Sequence, residues 1–121
     1  VQFVGWQSEP AQVVAQADVF VLPSLTEGLP NSLLEALLIG VPAIASDCNY
    51  GPAELTDGGR WATLVPPGDV AAWSQALLSF VKDPGAAYRR SEIARETLRR
   101  RFDHQVGCRQ LEDHLLEAAR R

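Results

Sequence analysis

Short apolar segments alternate with helix-like segments along the first two thirds of the chain, and this alternation constrains the fold more than any other feature. The strand-like runs are QFVG at 2–5, DVFVL at 18–22, PAIAS at 42–46 and WATLV at 61–65. Strands separated by helices are typical of βαβ units, whose strands pair in parallel. Unbroken apolar runs also suit strands that are buried on both faces. The sequence therefore predicts an α/β fold, a Rossmann-like parallel sheet flanked by helices.

Helix signals fill the intervals between these strands. Ser8 is a plausible N-cap with Pro10 in the first turn that follows it, and Asp69 is expected to cap a later helix. Pro30 stands near the start of another helix and Gly40 just past its end. The helices are expected at 9–17, 30–39, 69–81, 86–101 and 104–120, with a short one opened by Gly51-Pro52 and a turn at Asp83-Pro84-Gly85.

Composition limits the classes of protein to consider. The 121 residues are 46% hydrophobic and 21% charged, which fits one soluble globular domain or part of one. No apolar run approaches the roughly 18 residues that span a membrane, so no transmembrane segment is expected. The basic charges after residue 81 alternate with acids and lack interleaved aromatic residues, so no nucleic-acid partner is expected.

Loops that follow parallel strands mark the edge where such sheets bind ligands. Here those loops are Gly5-Trp6, 24–30, 47–52 and 66–69. The second of them leads into TEGLPNSLLEALLIGVP, which places Glu35 inside an apolar run eight positions after Glu27. A carboxylate buried in such a run would need a partner, such as an arginine or a backbone cap. That structural role stays open beside a functional one.

The functional alternative follows from the helix that begins near Pro30. Its first amides, those of Asn31, Ser32 and Leu33, are predicted to be free, and a helix N-terminus attracts anions. Glu27 precedes this anion site and Glu35 follows roughly 7.5 Å along the axis. Carboxylates accept paired hydrogen bonds from vicinal hydroxyls. An anion with a polyol on each side describes a nucleotide sugar.

Several ordered motifs make this chain resemble the C-terminal, donor-binding domain of family 4 retaining glycosyltransferases of the GT-B fold, the group 1 glycosyl transferases. ADVFVLPS precedes EG, and EGLPNSLLE resembles the paired-glutamate motif of the family. EALLIGVPAIASD, GPAEL and LVPPGD follow in the family's order. The C-terminal RFDHQ and its amphipathic tail also resemble the family, so that the resemblance covers essentially the whole chain.

The resemblance implies roles for individual residues. Glu27 would be the catalytic-site carboxylate that binds hydroxyls of the transferred sugar, and Glu35 would bind the ribose. The loop Gly5-Trp6 would lie near the nucleobase. The implied donor-binding segment comprises Glu27, Gly28, Leu29, Pro30, Asn31, Ser32, Leu33 and Glu35. Pro30 has no amide and removes one donor that many relatives offer from EGFG, which bears on donor preference.

The resemblance also implies partners and location. The donor would be a nucleotide-diphosphate sugar, the acceptor a glycan or lipid-linked glycan, and the enzyme would need no metal and no cofactor. The chain is expected to be a partial domain that lacks an N-terminal acceptor domain and the first strands of its own domain. Residues 1–81 carry only Arg60 as a cation, so the cations that face the diphosphate are expected upstream. We expect a cytoplasmic enzyme, with peripheral attachment at the inner face of the membrane as an open option.

Two other classes of function remain as alternatives. A GT-B nucleotide-sugar epimerase would share this half and differ in acid/base residues of the other half. A non-catalytic α/β module that binds a nucleotide or a partner would tolerate the loss of both glutamates. We expect cell-envelope glycan synthesis, and we expect the isolated chain to be inactive. The Gly-rich loop before Pro52 is expected to lead into a short helix. The alternative is that this loop lies at the edge of the sugar pocket.

Overall fold

A computed structural model describes residues 1–109 and residue 112. Within residues 1–102, three strands and five helices follow one another. They are α1 (Pro10–Val14), β1 (Phe20–Leu22), α2 (Asn31–Ile39), β2 (Ala43–Ser46), α3 (Pro52–Leu55), β3 (Thr63–Val65), α4 (Val70–Lys82) and α5 (Pro84–Arg101). None of these helices is both long and apolar enough to cross a membrane.

The three strands form one parallel sheet in the order β1-β2-β3. All four residues of β2 are buried, as expected for a central strand that helices cover on both faces. Leu22 pairs with Ala45 and Ala45 with Leu64, so the carboxyl ends of all three strands reach the same edge. The predicted Rossmann-like α/β fold is confirmed.

Helix α2 lies where the sequence predicts it, because two residues with special backbones define its ends. Pro30 is the N-cap, and Gly40 ends the helix in the left-handed conformation with φ 97°. The amide of Gly40 donates to the carbonyl of Ala36 at 3.1 Å. Leu33, Ala36 and Leu37 are fully buried, which fixes one face of α2 against the core.

Helix α5 packs across α2 and completes the core. Its buried residues are Ser91, Ala94 and Leu98. The hydroxyl of Ser91 donates to the carbonyl oxygen of Gly40 at 2.9 Å, which ties α5 to the end of α2. The buried cluster consists of Leu33, Leu37, Ala43, Ala45, Leu55, Ala62, Ala94 and Leu98. The core therefore sits between the sheet and the α2–α5 pair.

Helices α4 and α5 each begin with an aspartate whose side chain caps the first turn. Asp69 accepts a hydrogen bond from the amide of Ala72 at 2.9 Å, as predicted. Asp83 accepts one from the amide of Ala86 at 3.1 Å, and Pro84 occupies the first helical position. The predicted turn at 83–85 is therefore wrong, because Asp-Pro at this point starts a helix.

The N-terminal prediction needs correction. Residues 2–5 form no strand, and Phe3 is 95% exposed, since no described strand lies beside them to supply a ladder of hydrogen bonds. Helix α1 is shorter than the predicted 9–17, and its N-cap is Glu9 rather than Ser8. The last predicted helix, 104–120, is helical over 104–109, and most of its remaining residues lie outside the described part.

Candidate functional site

The carboxyl edge of the sheet gathers three loops, 23–30, 47–51 and 66–69. The strand register brings them together, since Leu22, Ser46 and Val65 end neighbouring strands at this edge. The first loop leads directly into α2. This edge is where open parallel sheets offer a crevice for ligands.

Among the first four backbone amides of α2, two donate to a carbonyl at this helix end and two have no backbone acceptor within the described residues. The amides of Leu33 and Leu34 both donate to the carbonyl of Pro30, at 3.0 and 3.1 Å. The amide of Leu33, predicted to be free, is therefore already engaged, because the helix starts with a tight turn. Asn31 and Ser32 are exposed, and their amides have no backbone acceptor among the described residues. Pro30 gives no side-chain cap, so this helix end remains open to an anion.

Glu27 is half-buried on the loop before α2. The hydroxyl of Ser24 donates to its Oε1 at 2.6 Å. This bond orients the carboxylate and leaves Oε2 available for another donor. Ser24 was not singled out from the sequence, where its only signal is a hydroxyl three residues before an acid in the same loop.

Glu35 is exposed, which corrects the expectation that the apolar run around it removes its solvation. At about 100° per residue, Glu35 stands about 200° from Leu33 around α2 and thus opposite the buried face. Ser32 lies on the same outer side, three residues away. Glu35 makes no ion pair within the described residues. The core does not need this carboxylate.

The remaining predicted residues have different environments. Gly28 and Leu29 are exposed at the tip of the loop, whereas Pro30 and Leu33 are buried. Leu33 therefore contributes to the core with its side chain. The structure does not bring Gly5 or Trp6 into any packed contact with this edge: both are exposed, and Trp6 at 87%. Their role at the nucleobase stays a prediction.

The second loop approaches the first through Gly51. This residue is buried and has φ 84°, in the region that favours glycine. A Cβ built on it would overlap the carbonyl oxygen of Gly28 and lie 2.5 Å from Cδ of Pro30. The two loops thus touch backbone to backbone, and the Gly-rich loop borders the predicted site. The sequence offered this only as an alternative, through the glycine before Pro52.

A separate cavity of about 240 Å³ lies at the opposite, amino-terminal edge of the sheet. It is lined mainly by apolar residues such as Val19, Ile44 and Phe80. Arg90, which lines this cavity, donates a hydrogen bond to the hydroxyl of Thr63 at 3.1 Å, and this bond helps to dock α5. This cavity is remote from both glutamates, so the carboxyl edge is the better candidate site.

The sequence matches the model of a known family and resembles named bacterial enzymes. The family is described as glycosyl transferases group 1, and the match covers residues 1–83. A lipopolysaccharide 1,6-galactosyltransferase of Escherichia coli K12 is 37% identical over 81 residues, which are 64% of this chain and 23% of that protein. An amylovoran biosynthesis glycosyltransferase of Erwinia amylovora is 32% identical over 123 residues, 95% of this chain and 30% of that protein.

Solved structures share the fold. The Anabaena protein HepE, crystallised in complex with UDP, superposes with a TM-score of 0.88 at 23% identity, over 96% of this chain and 32% of that one. The chain thus spans about a quarter to a third of the length of these three proteins. The resemblance inferred from the paired-glutamate motif and its flanking segments is confirmed, and the chain belongs to the glycosyl transferases group 1 family.

Proposed function

We propose that this chain is the donor-binding part of a glycosyltransferase that moves a sugar from a nucleotide-diphosphate sugar to an acceptor with retention. The observation that carries the proposal is the arrangement around α2. An open helix N-terminus stands at the carboxyl edge, with Glu27 on the loop before it and Glu35 on its outer side. Membership of a glycosyltransferase family supports the same conclusion.

In this proposal the diphosphate of the donor lies at the N-terminus of α2. The amides of Asn31 and Ser32 are directed to it, and the helix dipole favours its negative charge. When the glycosidic phosphate leaves, it gains charge, and fixed amides stabilise that charge without reorganising. Pro30 adds no donor, but its fixed backbone holds the first turn in place.

The two carboxylates bind the two sugars of the donor. Glu27, oriented by Ser24 at 2.6 Å, accepts hydrogen bonds from hydroxyls of the transferred sugar. Glu35 accepts hydrogen bonds from the vicinal hydroxyls of the ribose, for which its two oxygens are suited. Gly28 and Leu29 form the loop tip beside the sugar, and Gly5-Trp6 lies near the base. We propose no metal and no cofactor for this half-site.

The biological setting is proposed from the relatives. Enzymes named for lipopolysaccharide and amylovoran synthesis support a role in cell-envelope polysaccharide synthesis, with a glycan or lipid-linked glycan as acceptor. The HepE structure is described as a complex with UDP, which makes a uridine nucleotide the first to test.

The test is nucleotide binding measured by calorimetry with UDP and GDP. The chain is compared with Glu35→Ala and with Glu92→Ala, a control that removes another solvent-exposed glutamate, on α5. We expect Glu35→Ala to weaken binding at least tenfold, about 1.4 kcal/mol, and Glu92→Ala to leave it unchanged. Because Glu35 is exposed, the unfolding free energy should stay within about 0.5 kcal/mol.

Each other outcome has a defined meaning. Binding that is equal in the wild type and Glu35→Ala would point to a nucleotide-binding module that does not use the paired glutamates. Absence of binding to both nucleotides would contradict the donor-site proposal. If the gene encodes residues before Val1, the same comparison is made in the longer protein, where transfer or epimerisation of a bound sugar can also be followed.

A further inference from the structure

The contact between Gly51 and the loop before α2 is tighter than any side chain permits. A Cβ on Gly51 would overlap the carbonyl oxygen of Gly28 and lie 2.5 Å from Cδ of Pro30. The overlapped atom belongs to the backbone, so no rotamer change relieves the clash. An ordinary contact of carbon with carbonyl oxygen needs about 3.3 Å. Any larger residue at position 51 must therefore move one of the two loops by on the order of 1 Å.

The loop around Gly51 is the better-anchored side of this contact. The carbonyl of Gly51 accepts a hydrogen bond from the amide of Leu55 at 2.8 Å, and Leu55 is fully buried. Pro52, the next residue, is also buried. By contrast, Gly28 is exposed at the tip of its loop. A side chain at position 51 should therefore displace the loop that contains Gly28.

We propose that Gly51 is a positioning residue for the donor site, which sets the place of Glu27 and of the N-terminus of α2 without touching the donor. This inference rests on the proposed function of that site. Glu27 is bonded directly to Gly28 in the chain, and Pro30 is the N-cap of α2. A displaced loop moves the sugar-binding carboxylate and the first helix amides relative to each other. Binding sites lose much of their effect when such groups shift by about 1 Å.

Backbone conformation alone does not account for this role. Tyr50, the residue before it, also has a positive φ of 69°, which is costly for a residue other than glycine, and this conformation precedes the approach of Gly51 to Gly28. Gly58 has a similar φ of 64° but open space around its Cβ direction. Gly58 also lies between α3 and β3, away from the carboxyl edge. Gly58→Ala therefore carries the cost of a positive φ without the contact, and it is the control.

The experiment compares the wild type, Gly51→Ala and Gly58→Ala by two measurements. The first is UDP affinity by calorimetry at a temperature where circular dichroism shows all three proteins folded. The second is the backbone amide chemical shifts of residues 27–29 and 31–33 without nucleotide. We expect Gly51→Ala to weaken UDP binding about tenfold or more and to shift these amides. Gly58→Ala should leave both the affinity and these amides as in the wild type.

The two measurements separate this proposal from the proposed function. If the wild type binds neither UDP nor GDP, the proposed donor site is contradicted. Unchanged amide chemical shifts in Gly51→Ala would overturn the positioning role independently of that result. Wild-type affinity in Gly51→Ala would also overturn it. An equal loss of affinity in Gly51→Ala and Gly58→Ala would reduce the effect to backbone conformation and overturn it as well.

A second variant covers the case in which Gly51→Ala does not fold. Pro30→Ala removes the ring that abuts Gly51 and leaves the backbone of the second loop intact. Because this change also frees the backbone at position 30, the amide chemical shifts of Glu27 and Gly28 are measured beside the UDP affinity. Shifted amides together with weakened UDP binding in folded Pro30→Ala support the positioning role, whereas unchanged amides or wild-type affinity would overturn it.

Discussion

Replacing Leu98 by Ala tests whether α5 is an integral part of the domain that carries the candidate site. The family match ends at residue 83, one residue before α5 begins. In the structure, however, α5 packs on α2, and Leu98 is fully buried in the core. If this packing holds α2 in place, then α5, which lies outside the family match, supports the candidate site, which lies inside that match.

The expected loss of stability follows from the burial of Leu98. Truncation to Ala removes about three buried carbons at about 0.8 kcal/mol each, and the unfilled cavity adds to this transfer cost. We therefore expect the free energy of unfolding to fall by about 3 kcal/mol. Since domains of this size are stable by only about 5–15 kcal/mol, this is a large fraction of the total.

Urea denaturation followed by circular dichroism and by tryptophan fluorescence provides the measurement. Leu78→Ala on α4 is the control, because Leu78 is 58% exposed and the same substitution should cost within about 0.5 kcal/mol. A loss below about 1 kcal/mol in Leu98→Ala, or one equal to that in Leu78→Ala, would refute the reasoning. In that case α5 would be attached to the domain without stabilising it.

Two further substitutions test local contacts. Asp69→Ala removes the N-cap carboxylate that accepts a hydrogen bond from the amide of Ala72 at 2.9 Å. It should lower the free energy of unfolding in urea by about 1 kcal/mol, and Asp69→Asn should lower it less. An unchanged denaturation midpoint would contradict the cap. Arg101→Ala breaks the pair with Glu54 at 2.7 Å, whose side chains are 46% and 66% exposed. It should cost at most about 1 kcal/mol and nothing measurable in about 1 M salt, whereas a larger, salt-independent loss would mean that Arg101 stabilises by packing.

Sequence reasoning predicted the elements whose signals are local. The ends of α2 follow from Pro30 and Gly40, and the cap at Asp69 follows from its side chain, so both were found within about one residue. A strand at 2–5 was wrong because strand formation depends on a neighbour, which an apolar run does not specify.

The site was predicted less completely because part of it depends on contacts between distant segments. Glu35 looked buried when its apolar neighbours were taken in linear order, but the helical period places it opposite Leu33. The engagement of the Leu33 amide depends on how tightly the first turn winds. The approach of Gly51 to Gly28 joins two loops that only the folded sheet brings together. The ligand roles of these residues stay predictions until binding is measured.

The residues of α2 that pack in the core and those proposed to bind the donor lie on opposite faces of the helix. Leu33, Ala36 and Leu37 are fully buried, while Ser32 and Glu35 face solvent. Substitutions on the outer face should therefore alter recognition at little cost to folding. If α2 binds the donor as proposed, such a helix is a favourable starting point for evolution or for library selection, since donor preference can then change while the scaffold retains its stability.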